Sequence, residues 1–282
     1  MFRLVIALLV GVTSASFAQA QSDNRMKRIA DSKTVKIAYR ADATPYSFAN
    51  DKKEAAGYSI DLCKAIVDSM GRQLGAALKI EWVQVTTQTR FKTVASGQAD
   101  MECGASTVTL GRMKEVDFSS IIFVETTGVL VKSGAGINNA TDLAGKKIAV
   151  IGGTTNEIAL ANLVKSGKFN AVLVPVKSRE EGVAALEAGT ADAYASDKLL
   201  LIGAKVADAN AIKILPDDLS FEPYGIVLPR GDANLRLAVN TGLARIFGSG
   251  QIVEIFRKWF SQVGLQPGPL MLSVFTLGAL PE

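Results

Sequence analysis

From Val35 onward the sequence alternates short β-like runs with helical patterns, and it does so in two successive sets. Val35–Tyr39 reads as a strand. A helix over Tyr58–Met70 follows, with Ile60, Cys63, Ile66, Val67 and Met70 spaced along one face. Leu78–Val85 is a second strand, Thr87–Ser96 a helix stopped by Gly97, and Ala99–Cys103 a third strand. The second set opens with Lys147–Ile151, which Gly152 and Gly153 turn into a helix over 155–165. Ala171–Val176, a helix over Arg179–Ala188 ended by Gly189, and Asp192–Ser196 complete it. Such alternation predicts an α/β protein whose sheets are mostly parallel and covered by helices.

The runs Thr126–Val131 and Tyr224–Leu228 stand at the two edges of the second set. As extended crossings they would carry the chain from one lobe to the other and back, which makes a hinge. The helical patterns from Asp232 to Phe260 would then return to the first lobe. The expected division is 21–126 plus 228–282 for lobe one and 127–227 for lobe two. Chain length alone leaves one larger sheet open as the alternative.

Residues 1–20 carry Arg3, an apolar run from Leu4 to about Val12, and small residues ending in Ala18-Gln19-Ala20. This is the pattern of a cleavable secretory signal, and it predicts export with a mature chain starting near Gln21. No cysteine follows that position to take a lipid, and the apolar tail Met271–Leu280 is too short to span a bilayer. The mature length of roughly 260 residues suits two cores better than one.

The net charge of +4 is spread thinly along the chain, with no block of Lys and Arg that would suit a nucleic acid or a membrane surface. There is no histidine, which excludes Ser-His-Asp and Cys-His catalytic sets and the usual zinc sites. No metal or cofactor is expected. The two cysteines, Cys63 and Cys103, fall in a helix and at a strand end of the same lobe. They form either a disulfide, if the chain is exported, or two small buried thiols.

Ligands of open α/β sheets bind beyond the carboxyl ends of the strands. The turns there carry Arg40, then Thr87 and Arg90 as N-cap and third residue of a helix, then Ser106 and Thr107 followed by Arg112. In the second set they carry Thr154 and Thr155, then Ser178 and Arg179, then Asp197. Thr154-x-x-Glu157 and Ser178-x-x-Glu181 also match capping boxes that need no ligand, and each arginine taken singly could be a surface ion-pair partner. Their shared place at the ends of successive strands favours a site. An Arg fork takes a carboxylate in two parallel bonds, and a lone Asp at the opposing lip suits an ammonium. The pattern therefore points to a ligand with two carboxylates and one amine.

Thr86-Thr87-Gln88-Thr89-Arg90, Met101-Glu102-Cys103-Gly104-Ala105-Ser106-Thr107 through Arg112, Val116-Asp117-Phe118-Ser119 and Gly153-Thr154-Thr155 together resemble the glutamate/aspartate-binding branch of bacterial family 3 extracellular solute-binding proteins. The resemblance runs over essentially the whole mature chain. It implies a two-lobed, type II periplasmic-binding-protein fold that delivers solute to the permease of an ABC importer, as a periplasmic monomer without enzymatic activity. By the same resemblance Arg112, with the Thr107 and Thr155 turns, would hold the α-carboxylate and Asp197 the ammonium. Arg40, Thr87 and Arg90 would hold the side-chain carboxylate. The chain departs from the pattern at Ala105, where a serine is expected, and at Arg179, where a histidine is expected. The alternatives are a binder of glutamine or asparagine, and an exported dehydratase of the cyclohexadienyl type on the same scaffold, whose proton-transfer group would be Glu102 or Lys177.

Overall fold

Two large sheets form, each parallel along one side, beside a small antiparallel sheet of Asp42–Ala43, Ser47–Ala49 and Ala55–Ala56. The computed structural model describes residues 25–167, 170–204 and 207–281. The signal-like segment 1–20 lies outside them. In the first sheet Lys79–Val85, Thr34–Arg40 and Met101–Glu102 are parallel neighbours, and Val227–Pro229 and Val116–Phe118 add antiparallel at the far side. In the second, Val172–Val176, Lys147–Ile151 and Ala193–Asp197 are parallel, and Phe123–Lys132 and Ile212–Ile214 close it antiparallel. Strands buried on both faces need near-continuous apolar sequence, and Lys147–Ile151 shows it, with Ile148, Ala149 and Val150 fully enclosed.

The strand Phe123–Lys132 changes partner along its length. Phe123–Thr126 pairs antiparallel with Phe221–Tyr224, and Thr127–Val131 pairs with Ala193–Asp197. The crossings therefore sit a few residues before those expected at Thr126–Val131 and Tyr224–Leu228. Val227 and Leu228 already belong to the first sheet. The β-like pattern runs unbroken through both segments, so nothing in it marks where the pairing partner changes.

The helix Tyr58–Leu74 outlasts its expected end at Met70 and stops at Gly75, whose φ of 63° supplies the left-handed cap. Cys63 on this helix is bridged to Cys103, which follows the Met101–Glu102 strand. The bridge ties the helix to the start of the Gly104–Thr107 turn. Pro269–Gly278 folds as a helix that buries Met271 and Phe275, the latter 5.6 Å from the Phe247 ring. Among the described residues no helix is long and apolar enough to cross a membrane.

An aromatic cluster seats the hinge. Tyr46 lies edge-on to Phe123 and Tyr224, each at 5.1 Å, and Phe260 and Phe256 pack behind them. Leu199 and Leu200, from the lobe-two helix Lys198–Ile202, pack into the same lobe-one core. Apolar packing on this scale fixes where the crossing strands lie, and with them the polar groups they carry.

Candidate functional site

A small cavity lies between the lobes, at the carboxyl ends of the parallel strands. Arg40, Thr87, Arg90, Ala105, Thr107 and Arg112 line it from lobe one, and Ile151, Thr154, Thr155, Asn156, Arg179, Ser196, Asp197 and Leu200 from lobe two. Nine of the ten residues expected from sequence are in that wall; Ser106 is missing from it. The Ser106 hydroxyl turns away and donates to Glu102 Oε2 at 2.7 Å, in a fully buried pair.

Four guanidinium groups converge on this space. Arg40, at the end of its strand, gives Nε and Nη2 to the two oxygens of Asp42, both at 2.7 Å. Arg90 gives Nη1 to the Ala105 carbonyl at 3.2 Å, and its Nε has no protein partner. Arg112 gives Nη1 to the Thr107 carbonyl at 2.7 Å. Arg179, the first residue of the helix Arg179–Ala188, gives Nη1 to the Leu200 carbonyl at 2.9 Å, again with Nε unpartnered. Buried donors without partners are costly, and both of these arginines line the cavity. The charge is costly too: burial pushes the Arg90 guanidinium down to about 9, against the attraction of Glu102 and with the repulsion of Arg40 and Arg112. It still keeps its proton at neutral pH.

The ring of Phe91 stabilises this crowding. The Arg90 and Arg112 guanidinium carbons lie 4.7 and 4.9 Å from its centroid. Desolvated cation–π contacts of this kind contribute about 2 kcal/mol.

The helix expected to start with Thr87 as N-cap starts later, at Arg90, after Thr89. Thr86 and Thr89 close the intervening turn on each other, the Thr86 N–H donating to Thr89 Oγ1 at 3.0 Å. A hydroxyl-closed turn competes with helix over the same residues, which displaces the start by a turn. Thr87 is thereby left facing the cavity. The neighbouring Gln88 reaches the other lobe and donates to the Lys177 carbonyl at 3.0 Å.

Across the cleft, Thr154 and Ser178 cap their helices as the boxes suggest, accepting from Glu157 N and Glu181 N, each at 3.2 Å. Thr154 combines this with a place in the cavity wall. Asp197 ends its strand with Asn156 Nδ2 at 2.6 Å from Oδ1 and the Tyr224 hydroxyl on Oδ2. Burial, helped by the charge of Glu222, pushes the Asp197 carboxyl up to about 6, against the bonds from Asn156 and Tyr224.

Sequence reasoning missed three groups. Asn156 holds Asp197 and also donates to Thr127 Oγ1 at 2.7 Å. Tyr224 reaches Asp197 from the returning hinge strand. Glu222, on that same strand, gathers hydroxyls from both lobes: Thr107 at 2.8 Å, Thr155 at 2.5 Å and Ser220 at 2.6 Å. The signal was present as polar residues at alternating positions 220, 222 and 224 of an otherwise apolar run, which places them on one face of a strand. Among the described residues no group of His, Cys, Asp and Glu could hold a metal ion.

A cleft between two hinged α/β lobes, walled by charged groups from both, defines a two-lobed solute-binding protein of the type II periplasmic class. The sequence profile of bacterial extracellular solute-binding proteins, family 3, matches residues 35–262, and the chain belongs to this family. It is 30% identical over 260 residues to a glutamate/aspartate import solute-binding protein of Escherichia coli K12, covering 91% of this chain and 86% of that one. It is 32% identical over 265 residues to an L-glutamate/L-aspartate-binding protein of Pseudomonas aeruginosa, covering 92% and 87%. Among solved structures, an ancestral arginine-binding protein bound to glutamine superposes with a TM-score of 0.72 at 28% identity, covering 81% and 98%.

Proposed function

We propose that this chain captures glutamate or aspartate by closing its two lobes about the paired strands Phe123–Thr126 and Phe221–Tyr224, and presents the closed form to the permease of an ABC importer in the periplasm. The observation that carries this reading is the meeting of four arginines on one inter-lobe cavity with Asp197 on the facing wall. Arg112, with Thr107 and Thr155, takes the α-carboxylate, and Asp197 takes the ammonium. Arg90, with Arg40, Thr87 and Arg179, takes the distal carboxylate, since all four residues line the cavity. Closure is favoured by the contacts the ligand makes with lobe two after docking on lobe one.

No covalent chemistry is part of this reading. Glu102, the acid a dehydratase would need, is enclosed behind Ser106 and does not line the cavity. Lys177 offers its carbonyl to Gln88 across the lobes and does not line the cavity either. A second reading, glutamine or asparagine, draws on Ala105, which brings no hydroxyl to the distal end.

Calorimetry with the four amino acids tests the assignment directly. Micromolar binding of glutamate or aspartate, about −8 kcal/mol, is expected. Arg112→Ala should weaken it by about 2–5 kcal/mol, the cost of stranding a buried charge. Unchanged glutamate affinity in that variant would remove Arg112 from the site.

A further inference from the structure

Arg40 is the one cavity arginine whose planar fork is already filled by a carboxylate. Asp42, two residues on, accepts both Nε and Nη2 at 2.7 Å. Asp42 does not line the ligand cavity. It lies beside it, in an adjoining inter-lobe space shared with Arg179, Glu180 and Gly203. It therefore acts on a ligand only through Arg40 and through its charge.

That charge matters because of what surrounds it. The distal end of the cavity holds three permanent cations, Arg40, Arg90 and Arg179. Asp42 answers them directly on Arg40, while Glu102 lies enclosed behind Arg90, where burial pushes its carboxyl up against the charges of Arg90, Arg40 and Arg112. Burial works against ionisation of Asp42, but the bonds and charge of Arg40, with the charge of Arg179, outweigh it and hold the carboxyl below its ordinary value. It is an anion throughout the neutral range. A distal group on the ligand thus meets a surplus of positive charge that Asp42 reduces, and an Arg40 that can reach it only with the unfilled side of its guanidinium.

We propose that Asp42 is a specificity-determining residue that acts through Arg40, occupying its bidentate fork so that the distal subsite accepts a carboxamide alongside a carboxylate. The proposal rests on the reading that the ligand is an acidic amino acid. A freed fork would reward a carboxylate, which can take two parallel charge-assisted bonds, far more than an amide, which offers one oxygen and no charge. Specificity is a difference of affinities, so a group that weakens the preferred contact narrows that difference.

The test is calorimetry of the wild-type protein, Asp42→Asn and Asp42→Ala against L-glutamate, L-aspartate and L-glutamine. Asp42→Asn keeps the side-chain volume and guards against a folding defect in the alanine variant; thermal unfolding checks both. The ratio of the glutamine Kd to the glutamate Kd should rise about tenfold in each variant, the effect of removing one partly screened charge near the distal group. If Asp42 served only to orient Arg40, the ratio would fall, because a misplaced Arg40 no longer reads the carboxylate. An unchanged or lower ratio in a folded variant overturns the proposal while leaving the acidic reading intact. Failure of the wild-type protein to bind glutamate or aspartate overturns the acidic reading itself, and the inference with it.

Discussion

Glu125 and Glu222 stand directly opposite one another in the two-strand ladder that joins the lobes. Like charges at paired positions destabilise a sheet, and both of these side chains are buried. They are separated by their partners. Glu125 accepts from the Leu199 N–H at 2.7 Å, at the start of the Lys198–Ile202 helix, with the Tyr46 hydroxyl at 3.5 Å. Glu222 is occupied by the hydroxyls of Thr107, Thr155 and Ser220. The hinge thus carries two acids, one facing the cavity threonines Thr107 and Thr155 and the other facing a lobe-two helix.

Glu125 should make the ligand-free protein less stable as pH rises. Burial, with the charge of Asp197, pushes its carboxyl up to about 8 against the Leu199 N–H and the Tyr46 hydroxyl. Between its ordinary value of 4.5 and about 8 the folded chain therefore holds a proton that the unfolded chain has lost. Stability then falls with pH across that window. Glu125→Gln should flatten the fall, leaving the smaller contribution of Asp197 below about 6. Urea unfolding at pH 5 and pH 8.5 gives the comparison; an equal loss in both proteins would mean that Glu125 is ionised in the fold.

Ligand affinity should weaken on acidification. An ammonium needs Asp197 ionised, and in the ligand-free protein that carboxyl is pushed up to about 6. Below that pH, binding must expel a proton, so Kd should rise by up to about tenfold per pH unit. Calorimetry from pH 7.5 to 5 in buffers of different ionisation heat would detect the proton. Its absence, with a flat Kd, would place the ammonium elsewhere.

A single methyl group at Gly203 should oppose closure. A Cβ there would sit 2.6 Å from the Thr44 carbonyl oxygen, backbone of the other lobe. Overpacking of this kind costs about 1–3 kcal/mol, so Gly203→Ala should bind its amino acid about 5- to 150-fold more weakly. The unfolding midpoint without ligand should hold. Small-angle scattering should show that saturating ligand compacts the variant less than the wild type; equal compaction with equal affinity would dismiss the contact.

Reduction of the Cys63–Cys103 bridge should lower stability by about 2–5 kcal/mol. Cys103 is followed at once by the turn that carries Ala105 and Thr107, so Cys63→Ser should also loosen ligand binding. Denaturant midpoints with and without reductant measure the first effect, and calorimetry the second. A variant that loses stability with its affinity intact would confine the bridge to a structural role.

The fold was legible because strand and helix periods are local. Val35–Tyr39 and Lys147–Ile151 lie inside strands, and the arginines at their ends and at those of their neighbours do meet in one cavity. Thr87 lines the cavity as expected, but its expected place as N-cap failed for an equally local reason, a hydroxyl turn competing with a helix start. Ser106 was misjudged because neighbouring residues of a turn point different ways, and spacing does not say which faces the cavity.

The sequence by itself determined the two α/β sets and the residue types that gather beyond their strands, since both follow from periodicity and from where chain ends fall in a parallel sheet. Only the tertiary structure decided what those residues are bonded to. Asp42 on the Arg40 fork, Phe91 beneath two arginines, and Glu222 between Thr107 and Thr155 are contacts set by packing and by the partner switch along Phe123–Lys132. The physical reason is range. Hydrogen bonds and charge pairs act within a few ångströms, and the groups that pair in this cleft are as far as 115 residues apart in sequence.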